Sequence, residues 1–306
     1  FKTGLPTTSL QLLLGDGEYI GAKILNDQRI KGVIFTGSCE TAKKIQQNLS
    51  KKEGEIVPLI AETGGLNFMI IDSSALTEQV VDDAIESGFN GAGQRCSALR
   101  ILAIQEEVYD KTIKMLSGAT QKIKIGLPHL ITSDIGPVID QEAKNKINNH
   151  INSFNSKVLA KTNLKDELNG YFVSPTIIEI NSLEEVKEEI FGPVIHVYKY
   201  QADEIEKLVN DINSMNYGLT LGIQSRIDNT INYIFNNANI GNIYINRNIV
   251  GAVVGVQPFG GRGLSGTGPK AGGPNYLLNL VNEKSYSYDT TAAGGNATLF
   301  MMSENE

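Results

Sequence analysis

The feature of this sequence that most restricts its fold is a repeated alternation of apolar runs, glycine turns and helical patterns. Residues 31–37 are predicted to form a buried strand that ends in a turn, and residues 39–50 to form a helix. Further strands are predicted at 57–61, 66–71, 99–104, 173–180, 194–199, 219–224 and 242–245, and further helices from about 17 to 27 and at 75–89, 106–123, 140–154, 203–213 and 228–237. Such alternation is typical of an α/β fold with a parallel, doubly wound sheet.

One segment cannot belong to that pattern. From Gly251 to Pro274, nine of 24 residues are glycine, too many for the interior of a helix or strand. We therefore expect a long ordered loop, and long loops in compact enzymes are usually functional. The tail after Tyr286 has low hydrophobicity, so we expect it to extend over the surface or onto a neighbouring subunit.

Composition narrows the class of protein. The 306 residues suffice for one large domain or two ordinary ones, and the net charge of −7 argues against a nucleic-acid surface. No apolar run approaches the roughly 20 residues of a membrane-spanning helix. Two cysteines cannot form a disulfide framework, which favours a reducing, cytoplasmic setting. The first residues do not form a secretory signal but begin inside a structured pattern, so we expect a piece of a longer protein.

Cys96 is the first candidate catalytic residue. It lies in a glycine-rich segment, residues 91–98, between a predicted helix and a predicted strand. A nucleophilic thiol needs exposure and stabilisation of its thiolate, which nearby backbone N–H groups can supply. A lone cysteine is more often a buried structural residue, and Cys39, early in a helix, fits that description.

Glu62 is a candidate general base. It follows an apolar strand and precedes Gly64 and Gly65, which would let a ligand or a second backbone segment approach. A solvated glutamate at a strand end explains the position equally well. Glu189 stands in a glutamate-rich stretch that is, by itself, typical of a wet helix face.

Ser38 occupies the turn between a strand and a helix, with Thr36 and Gly37 before it. It can cap the helix, or the helix N-terminus can face a dinucleotide phosphate. The tripeptide alone favours the plain cap, and no GxGxxG motif is present. The three histidines are scattered without metal-ligand spacing, so no metal site is predicted.

Several of these segments, taken in order, resemble the motifs of the aldehyde dehydrogenase superfamily. The step of 34 residues from Glu62 to Cys96 also fits the spacing of base and nucleophile in that family. The matching segments are Phe35-Thr36-Gly37-Ser38, Glu62-Thr63-Gly64-Gly65, Gly93-Gln94-Arg95-Cys96, Glu189-Ile190-Phe191-Gly192-Pro193 and Pro258-Phe259-Gly260-Gly261.

A subfamily is also indicated. Residues 93–100, 134–140 and 246–259 look like the L-glutamate γ-semialdehyde (1-pyrroline-5-carboxylate) dehydrogenase module, above all the version in the bifunctional proline utilization A family. Residues 267–274 and the Thr-Thr-Ala-Ala-Gly-Gly-Asn tail strengthen that resemblance. It implies oxidation of L-glutamate γ-semialdehyde to L-glutamate, the second step of proline catabolism. FAD would belong to a proline dehydrogenase domain that lies outside this sequence.

The resemblance implies NAD as cofactor. Cys96 would attack the aldehyde carbon, and Glu62 would activate the water that releases glutamate from a thioester. Glu189 would hold the nicotinamide ribose and Phe191 would pack beside the nicotinamide. Thr36, Gly37 and Ser38 would lie at the pyrophosphate.

The substrate site is implied in the same way. Ser97 and the backbone N–H groups of Gly251 and Ala252 would anchor the α-carboxylate of the substrate. The other residues implied to line this site are Arg95, Phe89 and Phe259. For the two phenylalanines, ordinary core packing explains the apolar position equally well.

Two departures from the family pattern are relevant. Ala42 replaces a glycine that often follows the Phe-Thr-Gly-Ser segment. The earlier half of the family pattern, with an oxyanion-hole asparagine and a ribose-binding lysine, is absent from this sequence. An oxyanion donor can be worth about 3 kcal/mol, so we expect the chain alone to bind NAD poorly and to be nearly inactive.

The sequence thus predicts part of an NAD-binding domain at 1–62, a catalytic thiol domain at 63–264, and at 265–306 a segment that returns to the cofactor domain and to an oligomer surface. The expected partner is a small-molecule substrate, without nucleic acid or membrane, in a parent that is a homo-oligomer. Two alternatives stay open: a non-catalytic structural fragment, and a dehydrogenase for another semialdehyde.

Overall fold

The computed structural model describes residues 4–164, 168–289 and 301–302. The α-helices in this part are α1 Gly17–Leu25, α2 Cys39–Lys51, α3 Thr77–Phe89, α4 Glu106–Lys122, α5 Gln141–Ser153, α6 Ile205–Ser214 and α7 Asp228–Asn237. The strands are β1 Val33–Gly37, β2 Leu59–Thr63, β3 Asn67–Ile71, β4 Leu99–Gln105, β5 Val158–Lys161, β6 Thr176–Ile180, β7 Val194–Tyr200, β8 Tyr217–Gly218, β9 Thr220–Gln224, β10 Asn242–Ile245 and β11 Arg262–Gly263. The predicted α/β fold is confirmed.

A seven-stranded sheet forms the centre of the molecule, in the order β10-β9-β3-β4-β7-β6-β5. All neighbouring pairs are parallel except β5 and β6, which are antiparallel. Every residue of β3, β4 and β9 is buried, as expected of parallel strands covered on both faces. Helices α3, α4 and α5 bury side chains on one face of the sheet, and α6 and α7 on the other.

Residues 4–63, which we call the N-terminal layer, are packed less completely. Their two strands, β1 and β2, form a separate parallel pair. Strand β1 was predicted to be buried, but none of its residues is. Helix α2 also buries no residue, and α1 buries only Leu25. The layer is joined to the rest of the molecule through β2, which carries Glu62.

The structure differs from the sequence-based prediction at several points. β2 begins two residues later than predicted and includes Glu62 and Thr63, because these residues continue the parallel pairing with Thr36 and Gly37 of β1. Strand β5 and the two-residue pair β8–β11 were not predicted, since short edge strands have weak patterns. The segment 251–274 is a loop apart from β11. The Thr-Thr-Ala-Ala-Gly-Gly-Asn tail lies outside the described residues.

No helix within the described ranges is both long enough and apolar enough to cross a membrane.

Candidate active site

A strained turn presents Cys96. After α3 the chain passes through Gly91, Ala92 and Gly93, all with positive φ, of 63°, 56° and 66°. A side chain at Gly93 would bring a Cβ within 2.2 Å of the Gly192 carbonyl oxygen, so this turn packs directly on the backbone that follows Glu189. A buried alanine in the left-handed region is costly, and such strain is common at functional sites. The turn leaves Cys96 half-buried just before β4.

Asn67 holds the Cys96 segment in place. Its amide nitrogen donates to the carbonyl oxygens of Cys96 at 2.7 Å and Ala98 at 2.8 Å. Its amide oxygen accepts from the Thr220 backbone N–H at 3.1 Å. Asn67 is 1% exposed, so each of these bonds is shielded from water. Sequence reasoning missed this residue, although an asparagine at the head of an apolar strand was a usable signal.

Arg100 links the nucleophile turn to Glu189. Its guanidinium is fully buried and donates to the carbonyl oxygens of Gly93 at 2.8 Å, Gly192 at 3.1 Å and Arg95 at 3.2 Å. It also pairs with the Glu189 carboxylate at 2.9 Å. A buried charge must be paired in this way to be tolerated. The pair therefore fixes Glu189 relative to the Cys96 turn, and sequence analysis had not identified Arg100.

The surroundings of Cys96 disfavour the charged thiolate. Burial raises the pKa of Cys96, and the charges of Glu189 and, to a smaller extent, Glu62 raise it further. The backbone N–H groups of Ser97 and Cys96 act in the opposite direction. Both carboxylates are thus close enough to Cys96 for their charges to act on its sulfur. Cys39, in the first turn of α2, is half-buried and contributes nothing to this arrangement.

The carboxylate of Glu62 is surrounded by glycine residues. Its Oε2 accepts from the Gly261 backbone N–H at 2.8 Å, whereas Oε1 is buried with no hydrogen-bond partner among the described residues. A Cβ at Gly260 would lie 2.8 Å from Oε1, and one at Gly266 would lie 3.2 Å from Oε2. Burial raises the pKa of Glu62 to about 7, against the Gly261 hydrogen bond and the charge of Lys270, which lower it. A carboxylate with this pKa can act as a base near neutral pH.

The glycine-rich loop closes onto β2. The backbone N–H of Thr63 donates to the Ser265 carbonyl oxygen at 3.0 Å, and its hydroxyl donates to that of Leu264 at 2.6 Å. Thr267 bonds to Ala61 through both backbone and side chain. The loop that supplies Gly261 is thus attached to the strand that carries Glu62.

The residues expected to contact the substrate lie in different surroundings. Ser97 is buried, whereas Arg95 is exposed. Gly251 is exposed, with φ of 74° and no atom within 4 Å of a Cβ built on it, so its backbone is open to a ligand. Ala252 beside it is half-buried. Their roles stay predictions.

The two phenylalanines also differ. Phe89 is fully buried in the hydrophobic core beneath the sheet. Phe259 is half-buried, and its backbone pairs with Ala271 through hydrogen bonds of 2.8 and 3.0 Å. Of the two, Phe259 has the side chain that solvent can reach.

The residues expected to hold the cofactor fit parts of a dinucleotide. Ser38 caps α2, accepting the Thr41 N–H at 3.1 Å, and the first-turn N–H groups of this 13-residue helix suit a phosphate. Thr36 and Gly37 are exposed at the end of β1. The carboxylate of Glu189 is an acceptor suited to ribose hydroxyls, and the Phe191 ring is 44% exposed with Arg100 5.4 Å from its centroid.

No group of three or more metal-ligating side chains occurs in the described part of the chain. The structure does bring two histidines together, with Nε2 atoms of His150 and His196 2.8 Å apart. Burial lowers the pKa of His196 to about 3, so this ring stays neutral and its contact is structural.

The fold and this arrangement of thiol and carboxylates define the class of protein. The model of the aldehyde dehydrogenase family matches residues 1–286, and the chain belongs to that family.

Within the family, the chain is similar to proteins of two related kinds. It is 53% identical over 294 residues to the bifunctional protein PutA of Klebsiella aerogenes, covering 92% of this chain and 22% of that protein. It is 34% identical over 293 residues to the 1-pyrroline-5-carboxylate dehydrogenase of a Geobacillus species, covering 94% of this chain and 56% of the relative. The chain thus spans about a fifth of the length of the PutA relatives it matches.

Solved structures agree with this assignment. A mutant of proline utilization A from Bradyrhizobium japonicum has a TM-score of 0.90 at 48% identity, covering 96% of this chain and 30% of that one. A 1-pyrroline-5-carboxylate dehydrogenase from Thermus with bound NAD has a TM-score of 0.84 at 31% identity, covering 91% and 55%.

Proposed function

We propose that this chain is the thiol-bearing part of an enzyme that oxidises L-glutamate γ-semialdehyde to L-glutamate with NAD. The observation that carries the proposal is the Glu62 carboxylate, whose Oε2 accepts the Gly261 N–H, whose Oε1 is buried without a partner among the described residues, and whose charge acts on the Cys96 thiol. The similarity to PutA and to 1-pyrroline-5-carboxylate dehydrogenases supports the choice of substrate.

In the proposed reaction the Cys96 sulfur forms a bond to the aldehyde carbon, and the thiol proton passes to solvent or to a carboxylate. Loss of hydride from that carbon leaves a thioester on Cys96. Glu62 then takes a proton from water as the water oxygen attacks the thioester, and the C–S bond breaks to release the carboxylate product. The unpartnered Oε1 of Glu62 is the oxygen suited to accept this proton.

NAD, when bound, would supply the hydride acceptor. The residues proposed to hold it are Ser38 and the N-terminus of α2 at the pyrophosphate, and Glu189 and Phe191 at the nicotinamide end. Because Arg100 fixes Glu189 to the Cys96 turn, these residues would keep the nicotinamide end in a constant position relative to the sulfur.

The α-carboxylate of the substrate is proposed to bind the backbone of Gly251 and Ala252, beside Ser97. Backbone N–H groups in a turn with positive φ are suited to an anion and need no side-chain ordering. Another semialdehyde that lacks an α-carboxylate would lose this contact. A kinetic panel of semialdehydes tests the point, and equal kcat/KM for substrates with and without the α-carboxylate would contradict it.

The central test uses the two cysteines. In the complete protein, Cys96→Ala should abolish aldehyde-dependent NADH formation, whereas Cys39→Ala, a matched control, should leave it near the wild-type rate. Quenched reactions of the wild type should carry the mass of an acyl group on Cys96. If Cys96→Ala kept most of the rate, the assignment of the nucleophile would be wrong.

We also propose that the complete protein is cytoplasmic and homo-oligomeric, that residues 1–62 belong to its cofactor domain, and that residues 265–306 contribute to its oligomer contacts. Light scattering on the protein with and without residues 265–306 would test the last point.

A further inference from the structure

Lys270, a residue without a role in the reaction described above, lies close to the proposed base. Its ammonium group donates to the Gly241 carbonyl oxygen at 2.6 Å, to Asn242 Oδ1 at 3.1 Å and to the Gly260 carbonyl oxygen. A lysine has three N–H donors, so these neutral acceptors use all of them. Among the described residues Lys270 forms no ion pair, and its charge is therefore not neutralised by a carboxylate partner.

The contacts of Lys270 control the turn that holds Glu62. Gly260, whose carbonyl oxygen binds Lys270, directly precedes Gly261, whose N–H donates to Glu62 Oε2. Gly241 lies close to both groups: a Cβ at Gly241 would be 2.2 Å from the Gly260 carbonyl oxygen and 2.7 Å from the Lys270 nitrogen. A shift of Lys270 would therefore move the hydrogen-bond donor of the base.

We propose that Lys270 is a positioning residue for Glu62: it fixes the turn that donates to the carboxylate, and its ammonium charge favours the ionised base. The proposal rests on the proposed function of Glu62 and extends it to a residue that favours the ionised form of that carboxyl. Among the described residues, Lys270 is the charged group that acts on Glu62. Glu189, which is paired with Arg100, acts on the neighbouring Cys96.

The electrostatics agree in sign with this geometry. Burial raises the pKa of Glu62 and the charge of Lys270 lowers it, while the charge of Glu62 raises the pKa of Lys270. If the charge of Lys270 is removed, less counteracts the effect of burial on the pKa of Glu62. That pKa therefore rises, and a smaller fraction of the carboxyl is ionised at neutral pH. The charge of Lys270 is a smaller influence on Glu62 than burial and the Gly261 hydrogen bond, so its loss should raise the pKa of the carboxyl only modestly.

The test compares Lys270→Met, which keeps length and loses charge, with Lys270→Arg, which keeps charge. In the complete protein, Lys270→Met should move the rise of the steady-state rate with pH upward, by at most about 1 unit, and the rate at pH 7 should fall by at most about fivefold and recover near pH 9. The initial burst of NADH should persist, because thioester formation precedes the step that Glu62 assists. Lys270→Arg should keep the midpoint near that of the wild type.

Lys161→Met, at the antiparallel edge strand β5, is the matched control and should change neither rate nor midpoint. If Lys270→Met lowered the rate by one constant factor at every pH, with an unmoved midpoint, Lys270 would have a structural role alone and the proposal would be wrong.

A second measurement separates this proposal from the proposed function. The carboxyl C=O band of Glu62, identified by its loss in Glu62→Gln, can be titrated by infrared difference spectroscopy on the complete protein without substrate. Its midpoint should rise in Lys270→Met, and an unchanged midpoint would overturn the role of Lys270. If the wild type formed no NADH with any semialdehyde, the proposed function would fail while this titration still decided the electrostatic role.

Discussion

The N-terminal layer and the region around the seven-stranded sheet contain similar strand–helix units but bury them to very different extents. In the main sheet, β3, β4 and β9 are buried along their whole length, and two apolar clusters cover the two faces. In the N-terminal layer, Ile34 on β1 is 59% exposed, and Leu10 and Leu14 are each more than 80% exposed.

The Cys96 turn and the Ser38 turn are therefore held in place by different kinds of contact. The Cys96 turn is fixed by Asn67 and Arg100, which are themselves buried. The proposed phosphate-binding turn at Ser38 is held mainly by a local cap and by pairing of β1 with β2. We therefore expect the stability of the main sheet to depend on side-chain packing and that of the N-terminal layer on few, local contacts.

The largest expected effect tests that contrast directly. Phe68→Ala, at a residue 1% exposed, should lower the free energy of unfolding by about 3–5 kcal/mol, because it leaves a cavity between the sheet and its helices. Ile34→Ala, in the N-terminal layer, should change it by less than about 0.5 kcal/mol. Urea denaturation followed by circular dichroism measures both changes. Equal losses of unfolding free energy in the two variants would contradict the expected difference between the two regions.

Two asparagines allow the contribution of hydrogen bonds to stability to be compared between the two regions. Asn67→Ala removes three buried bonds around the Cys96 turn and should cost about 2–3 kcal/mol, since carbonyl groups are left without partners away from water. Asn26→Ala removes one exposed bond to the Ala22 carbonyl oxygen and should cost less than about 0.5 kcal/mol. Thermal unfolding of both variants would contradict the argument if Asn26→Ala cost as much as Asn67→Ala.

The smallest expected effect concerns Glu62, at the junction of the two regions. Burial raises its pKa to about 7, so the ionised form is less stable in the folded chain than in the unfolded chain. The stabilisation is full below the ordinary pKa of a glutamate and is lost as pH rises to about 7. Glu62→Gln should therefore gain stability relative to the wild type above pH 7 but not at pH 4. We expect less than about 1 kcal/mol, since the group is half-exposed. A difference independent of pH would refute this.

Much of the main sheet was predictable because its strands are continuous apolar runs with glycine at their ends. The position of Cys96 between α3 and β4 followed from the same pattern. Strand β5 was not predictable, since a four-residue edge strand pairs through its backbone and shows little pattern in its side chains. The end of β2 was misjudged because Glu62 and Thr63 pair with Thr36 and Gly37 of β1, and such backbone pairing shows little pattern in the side chains.

The support of the site was harder to predict than its reactive residues. Arg100 looks like an ordinary polar residue at the start of an apolar run, yet its acceptors include Gly192, 92 residues later. Lys270 likewise acts through the carbonyl oxygens of Gly241 and Gly260. Every residue has a backbone carbonyl oxygen, so residue identity does not show which of them accept a hydrogen bond. Side chains that depend on such acceptors cannot be recognised from local sequence. The contacts expected with cofactor and substrate stay predictions.

The attachment of the glycine-rich loop to β2 also has a consequence for the order of folding. The hydroxyl of Thr63 reaches the Leu264 carbonyl oxygen across 201 residues of chain, so this closure has a high entropic cost and is slow compared with local helix formation. A chain emerging from the ribosome can complete the main sheet once β10 has been made, but it cannot seat Glu62 against Gly261 until about residue 267 is available. The segment that carries Cys96 can therefore be assembled before Glu62 is seated against Gly261.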